Sequence, residues 1–259
     1  MPFTEAADGA RIYYETHGTG EDLLLISGQA GDHHGWDAIR EDFTGRYRVT
    51  VYDHRGTGRS DKPEAPPYTT RGFAADAVAV LDAAGADRAH VYGTSMGGRI
   101  AQWLGIDHRD RLRSLVLGCT TPGDAHGIPR DARATLTMLD RTDARAGLLQ
   151  SYTPEYVDAH PELLTTPPPP PIPDHARILH FQASQSHDTW ELLPGITTPT
   201  LVIHGSDDVV NPTPNAELLA RRIPGAKLHI VHGGRHTYYV EFREESSRVV
   251  LDFLESQSE

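Results

Sequence analysis

Short continuous apolar runs alternate along the chain with longer stretches whose apolar positions recur every three or four residues. The first pattern predicts strands buried on both faces, the second amphipathic helices. Phe3–Ala7 and Arg11–Thr16 read as strands joined across Asp8-Gly9, a dipeptide that favours a tight hairpin turn. Leu23–Ser27 is a buried strand that runs into the loop Gly28-Gln29-Ala30-Gly31. Trp36–Phe43 reads as a short helix. Tyr47–Tyr52 is a further strand, closed by the turn Asp53-His54-Arg55-Gly56-Thr57-Gly58. A helix over Phe73–Ala84 stops at Gly85. Strand Ala89–Tyr92, a tight turn over Gly93–Gly98 and helix Arg99–Ile106 follow, then strand Leu115–Leu117.

The alternation breaks off from Thr121 to about Pro194, where no buried-strand run occurs. Two helix-like pieces, Ala132–Leu139 and Pro154–His160, lie there, with five consecutive prolines, Pro167–Pro171. A proline run favours extended polyproline geometry and cannot join a sheet. The segment reads either as a surface linker or as a cap over a site, and a non-sheet insert of this size in an otherwise regular chain favours the packed role. The expected organisation is a core of residues 1–120 and 195–259 with an inserted, mainly helical cap over 121–194. The pattern then resumes with strand Thr200–His204, helix Ala216–Ile223, strand Lys227–Val231 and helix Glu244–Leu254. Alternation of this kind predicts an α/β fold, a mostly parallel twisted sheet flanked by helices.

Composition narrows the function classes. The 259 residues carry 36 acidic against 24 basic side chains, a formal charge of −12. An acidic surface argues against nucleic acid and anionic membranes as partners. No stretch approaches the ~18 apolar residues of a membrane span, and the amino terminus lacks the pattern of a signal peptide. The single cysteine, Cys119, excludes an internal disulfide and a cysteine-rich metal site. A cytoplasmic protein acting on a small molecule is expected, with no metal and no organic cofactor. The oligomeric state is left open.

The sharpest motif is Gly93-Thr94-Ser95-Met96-Gly97. It follows a predicted strand and opens a predicted helix, which puts Ser95 on a strained turn at the carboxyl end of the sheet. A serine hydroxyl is a weak nucleophile, so it needs a base, and the base needs an orienting acid. His204-Gly205-Ser206-Asp207-Asp208 follows a late strand and offers two acids; Asp124, after an earlier strand, offers a third. Gly233-Gly234-Arg235-His236 follows the last strand and offers His236 as base, with His232 as its nearest competitor among 15 histidines.

Tyr52–Ser60, Gly93–Gln102, Pro199–Asp208 and His236 together resemble the α/β-hydrolase superfamily over nearly the full length. The nearest resemblance is to small serine hydrolases such as enol-lactonases and polyketide methylesterases. It implies a Ser–Asp–His order along the chain and selects Asp208, three residues after the strand-end glycine, over Asp207. It implies an oxyanion hole formed by the backbone N–H groups of Gln29 and Met96. It implies a carboxylic ester or lactone as substrate, cleaved through an acyl-enzyme. Carbon–carbon bond hydrolases and cofactor-free perhydrolases or haloperoxidases share these stretches, and a slow-turnover ligand receptor could keep them. Relatives that open epoxides or displace halide carry Asp where this chain has Ser95. Two departures stand out: Ser27-Gly28 where many relatives have His-Gly, and Arg235 where many have Gly. Trp36, His33 and His34 follow the oxyanion loop and are candidates for the pocket wall.

Overall fold

The computed structural model describes residues 2–65, 68–139, 142–165 and 172–258. Eight strands form one sheet: β1 (Phe3–Glu5), β2 (Arg11–His17), β3 (Glu21–Ile26), β4 (Tyr47–Tyr52), β5 (Ala89–Thr94), β6 (Leu112–Gly118), β7 (Thr200–Gly205) and β8 (Lys227–Val231). Their spatial order is β1-β2-β4-β3-β5-β6-β7-β8. β2 pairs antiparallel with both β1 and β4, and every other pairing is parallel.

The helices of the core are α1 (Arg40–Thr44), α2 (Thr70–Ala83) and α3 (Met96–Asp107). The insert adds α4 (Ala132–Leu139), α5 (Ala144–Ser151), α6 (Pro154–Ala159), α7 (Glu162–Thr165) and α8 (Asp174–Gln185). The core resumes with α9 (Pro214–Arg222), α10 (Tyr238–Glu241) and α11 (Arg243–Glu255). Strand β3 shows why its run Leu23–Ile26 is apolar at every position. Leu24 and Ile26 pack with Phe73, Val80, Ile100 and Leu104 on one face. Leu23 and Leu25 pack with Trp36, Phe43, Val250 and Leu254 on the other. Successive side chains point to opposite faces, so a strand covered on both sides has no polar position to spare.

Several elements differ from the sequence expectation: α2 and β6 each begin three residues early, at Thr70 and Leu112, and α10 was not read. The predicted helix Trp36–Phe43 is a 3-10 turn, His33–Trp36, followed by the short α1. Helix α3 begins at Met96 rather than Arg99, because its first turn is the tight turn itself. Between residues 121 and 194 the described residues form five helices where two were read, and none of them joins the sheet as a strand. The run Pro167–Pro171 lies outside the described residues. The two ends of the insert are fastened together. Gly123 bridges Asp188, and buried Gln102 donates to the Thr121 carbonyl at 3.0 Å and accepts from Thr189 Oγ1 at 2.6 Å. Among the described residues no helix is long and apolar enough to cross a membrane.

Candidate active site

Ser95 sits between β5 and α3 with φ 55° and ψ −119°, in the left-handed half of backbone space where a side chain is strained. The flanking glycines explain how the turn closes. A Cβ on Gly93 would lie 2.2 Å from the Gly97 carbonyl oxygen, and one on Gly97 would lie 2.1 Å from the Ile26 carbonyl oxygen. Only glycine at both places lets β3, β5 and α3 approach this closely. The strain is held by the Ser95 N–H donating to Gly118 at 2.8 Å and the Ser95 carbonyl accepting from Thr120 Oγ1 at 2.7 Å. The outcome is a serine presented at the carboxyl ends of the parallel strands, where ligands bind in open α/β sheets.

Asp208 and His236 come from the loops after β7 and β8. The Asp208 Oδ2 lies 2.8 Å from His236 Nδ1 and 3.2 Å from His204 Nε2. Its Oδ1 accepts from the Val210 and Asn211 N–H groups at 2.8 and 2.9 Å. Burial alone would raise this carboxyl; the field of His236 and the hydrogen bonds from His204 and His236 outweigh it, and the net position is well below the usual carboxylate range. Asp208 is therefore an anion fixed by four contacts. Asp207 faces outward: its carboxylate accepts from Ser206 Oγ, and its N–H is spent on the Gly234 carbonyl. Asp124 is exposed and accepts from Gln185 Nε2. His232 is exposed, whereas His236 lines the cavity that Ser95 also lines.

That cavity has a volume of about 940 Å³. The core contributes Ser27, Gly28, Gln29, Trp36 and Tyr239; the insert contributes residues of α4, α5, α7 and α8, among them Leu148, Leu163 and Ser184. Gly28 lies against the serine, since a Cβ there would be 3.3 Å from Ser95 Cβ. Met96 is the first residue of α3, and a helix has no acceptor of its own for the first N–H groups. Of the three candidates for the pocket wall, only Trp36 lines it. His33 is buried against Asp53, with Nδ1 2.5 Å from Oδ1, and His34 is exposed against Asp37. Arg235 turns its guanidinium to the Leu149 carbonyl of α5, so it ties the His236 loop to the insert.

The loop from Ser27 to Gly31 is gripped on several sides. His54, fully buried, donates from Nε2 to the Ser27 carbonyl at 2.9 Å. His180 of α8 accepts the Ala30 N–H on Nδ1 at 3.3 Å and donates from Nε2 to the Arg55 carbonyl at 2.8 Å. Burial lowers His54 to about 4, and burial together with His54 lowers His180 to about 3. Both rings are neutral, and each bond to a carbonyl requires the proton on Nε2. Thr57 Oγ1 adds a bond to the Gly31 carbonyl at 3.0 Å. The turn carrying His54 is anchored by Arg55, which grips buried Asp76 with two bonds of 2.6 and 2.7 Å and Asp8 with two of 2.6 and 3.3 Å. The Asp53-His54-Arg55 run is thus a brace beneath the site. The contribution of His180 was invisible in the sequence, where it is one of 15 histidines.

Among the described residues one cluster has metal-ligand geometry, Asp32, His33 and Asp53. Both Asp53 oxygens already accept protein hydrogen bonds, from His33 and from the Arg59 N–H, and none of the three residues lines the cavity.

Residues 23–242 match the family model for the alpha/beta hydrolase fold. The chain belongs to the α/β-hydrolase family. A Caulobacter protein named "Putative carbamate hydrolase RutD" is 33% identical over 262 positions, covering 95% of this chain and 97% of that one. Among solved structures, Est816, described as an N-acyl homoserine lactone degrading enzyme, is 30% identical with a TM-score of 0.82, covering 97% of this chain and all of that one. The enol-lactonase from Burkholderia xenovorans LB400 is 26% identical with a TM-score of 0.81, covering 98% and 99%. An α/β-hydrolase of this kind is a hydrolase by fold and by relatives, and the identity of its substrate rests on the site.

Proposed function

We propose that this α/β-hydrolase cleaves a carboxylic ester or lactone of a small molecule through an acyl-enzyme on Ser95. The observation that carries this reading is the His236–Asp208 pair, 2.8 Å apart, with the imidazole lining the same cavity as a strained serine. In this mechanism Ser95 Oγ attacks the carbonyl carbon, and His236 takes the hydroxyl proton on Nε2. Asp208 holds the Nδ1–H and stabilises the imidazolium. The tetrahedral oxyanion is received by the N–H groups of Gln29 and Met96; loss of one such donor costs roughly 3–4 kcal/mol. The imidazolium returns its proton to the leaving alkoxide. Water, activated by the same histidine, then releases the acid and restores the serine. The helical insert supplies much of the cavity wall, which makes it the part that selects acyl size while the core does the chemistry.

Lactone-cleaving structural relatives favour this reading, and the carbamate hydrolase name raises a second acyl class with the same carbonyl chemistry. A panel of 4-nitrophenyl esters of graded acyl length, N-acyl homoserine lactones and aryl carbamates separates them. The expected result is the highest kcat/KM on an ester or lactone, unchanged by EDTA. Turnover confined to carbamates, or tight binding without turnover, overturns the assignment.

The choice between the neighbouring acids is tested by amides. Asp208→Asn lowers kcat about 10⁴-fold, because an amide cannot support the imidazolium. Asp207→Asn lowers it less than about tenfold, since among the described residues that exposed side chain bonds only Ser206. The reverse order, with both variants folded, moves the acid to Asp207.

A further inference from the structure

Two guanidinium groups in this protein are equally inaccessible, Arg55 and Arg99, each 2% exposed. Arg55 is neutralised by Asp76 and Asp8, and these partners outweigh its burial and raise it above the ordinary arginine range. Arg99 has no such partner. It bonds the Ser184 carbonyl, the Ser184 hydroxyl at 2.8 Å and the Asn211 amide oxygen at 3.3 Å, all neutral acceptors. Its Nε is buried with no hydrogen bond, and among the described residues no carboxylate makes an ion pair with it. Burial lowers it to about 10, opposed by the field of Asp124 and assisted by that of Arg130. Asp124 itself is exposed and engaged by Gln185. Arg99 is still a cation at neutral pH, and a cation buried without an anion is costly unless something supplies one.

Its place in the fold says what would. Arg99 is four residues after Ser95, its N–H donates to the Ser95 carbonyl at 3.2 Å, and both residues line one cavity. Arg99 and Arg130 both line the cavity that holds Ser95 and His236, and Arg130 donates from Nε to the Val210 carbonyl at 2.7 Å. Among the described lining residues the one carboxylate is Asp143, which caps α5 through the Ala146 N–H at 2.9 Å. Arg99 is thus a cation at the cavity wall, with no carboxylate partner among the described residues, inside a protein of net charge −12.

We propose that the substrate bears a carboxylate a short carbon chain from its scissile carbonyl, and that Arg99 receives that carboxylate. The class is a half-ester of a dicarboxylic acid or a lactone with a carboxyalkyl arm. This inference rests on the serine-hydrolase reading above. A buried guanidinium–carboxylate contact adds strength that a neutral group of the same shape cannot supply.

The test compares two esters of matched shape on the whole enzyme, mono-4-nitrophenyl glutarate and 4-nitrophenyl 5-methylhexanoate. The wild type is expected to favour the glutarate ester about tenfold or more in kcat/KM, mainly through KM. Arg99→Gln lowers kcat/KM for the glutarate ester by a similar factor and brings the ratio of the two substrates towards one. Because Arg99 also bonds Ser184 and Asn211, a second measurement needs no variant. Glutarate is expected to protect Ser95 of the wild type from a neutral fluorophosphonate at concentrations where glutaramide does not. Equal or better turnover of the neutral ester, together with equal protection by the two additives, overturns the proposal. Failure of the phosphonate to label Ser95 at all overturns the serine reading as well, so the two failures are distinguishable.

Discussion

Replacing Ser95 with alanine lowers turnover of an activated ester by about 10⁴- to 10⁶-fold, with the thermal unfolding transition left within a few degrees of the wild type. The size of the effect follows from the site. Under the proposed mechanism, once the Ser95 hydroxyl is gone, His236 and Asp208 have nothing to activate, and the oxyanion donors alone accelerate only a slow attack by water. The stability expectation follows from the backbone. The bonds that hold the turn involve the Ser95 N–H and carbonyl, and alanine keeps both. A fluorophosphonate should label the wild type at Ser95 and leave the alanine variant unmodified. Activity within tenfold of the wild type in the variant, or labelling at another residue, places the chemistry elsewhere.

Acid should unfold this protein well above the pH at which carboxylates alone would do so. Burial lowers four histidines, His54, His90, His180 and His187, below the ordinary value of 6.5; for His54 the value is about 4 and for His180 about 3. In the unfolded chain each takes a proton near ~6.5. Between that pH and the lowered values the unfolded state binds more protons than the folded one, so stability rises with pH and falls on acidification. Each such histidine contributes a slope of about 1.4 kcal/mol per pH unit while it remains neutral only in the fold. Two or three acting together across one to two pH units remove an amount comparable with the 5–15 kcal/mol that holds a typical domain. Asp208 adds to the loss at lower pH, because its depressed carboxyl stabilises the fold only while it is ionised. Urea unfolding followed by tryptophan fluorescence from pH 8 to pH 4 should show the midpoint falling steadily below about pH 6, with uptake of at least two protons on unfolding near pH 5. A flat midpoint over that range would show that these rings are charged in the fold.

The histidines also mark the boundary between what is written locally and what is assembled at a distance. The strand runs and the turn at Ser95 are properties of adjacent residues: a continuous apolar run is a doubly covered strand, and glycines two before and two after a serine allow one kind of strand-to-helix turn. These were legible, as was the order of the core elements. Helices α5, α7 and α8 were not legible. They are short or only weakly patterned, and they hold their shape through contacts with the core such as His180 on the Ala30 loop, 150 positions away. The expected helix at Trp36–Phe43 gave way to a 3-10 turn because Asp32 caps His34 and His33 is drawn to Asp53.

By itself the sequence determined an alternating α/β core and a serine on a strained turn, since both depend on residue spacing along a few consecutive positions. The resemblance favoured Asp208 over Asp207, but only the tertiary structure shows which of the two turns inward and why. The two differ by one position, and which one turns inward depends on the Gly234 carbonyl capturing the Asp207 N–H while the Val210 and Asn211 N–H groups close on Asp208. Only the tertiary structure distinguished the paired Arg55 from the unpaired Arg99. A guanidinium finds its anion, or is left without one, through neighbours that lie 21 to 112 positions away in the chain, and no local pattern records them.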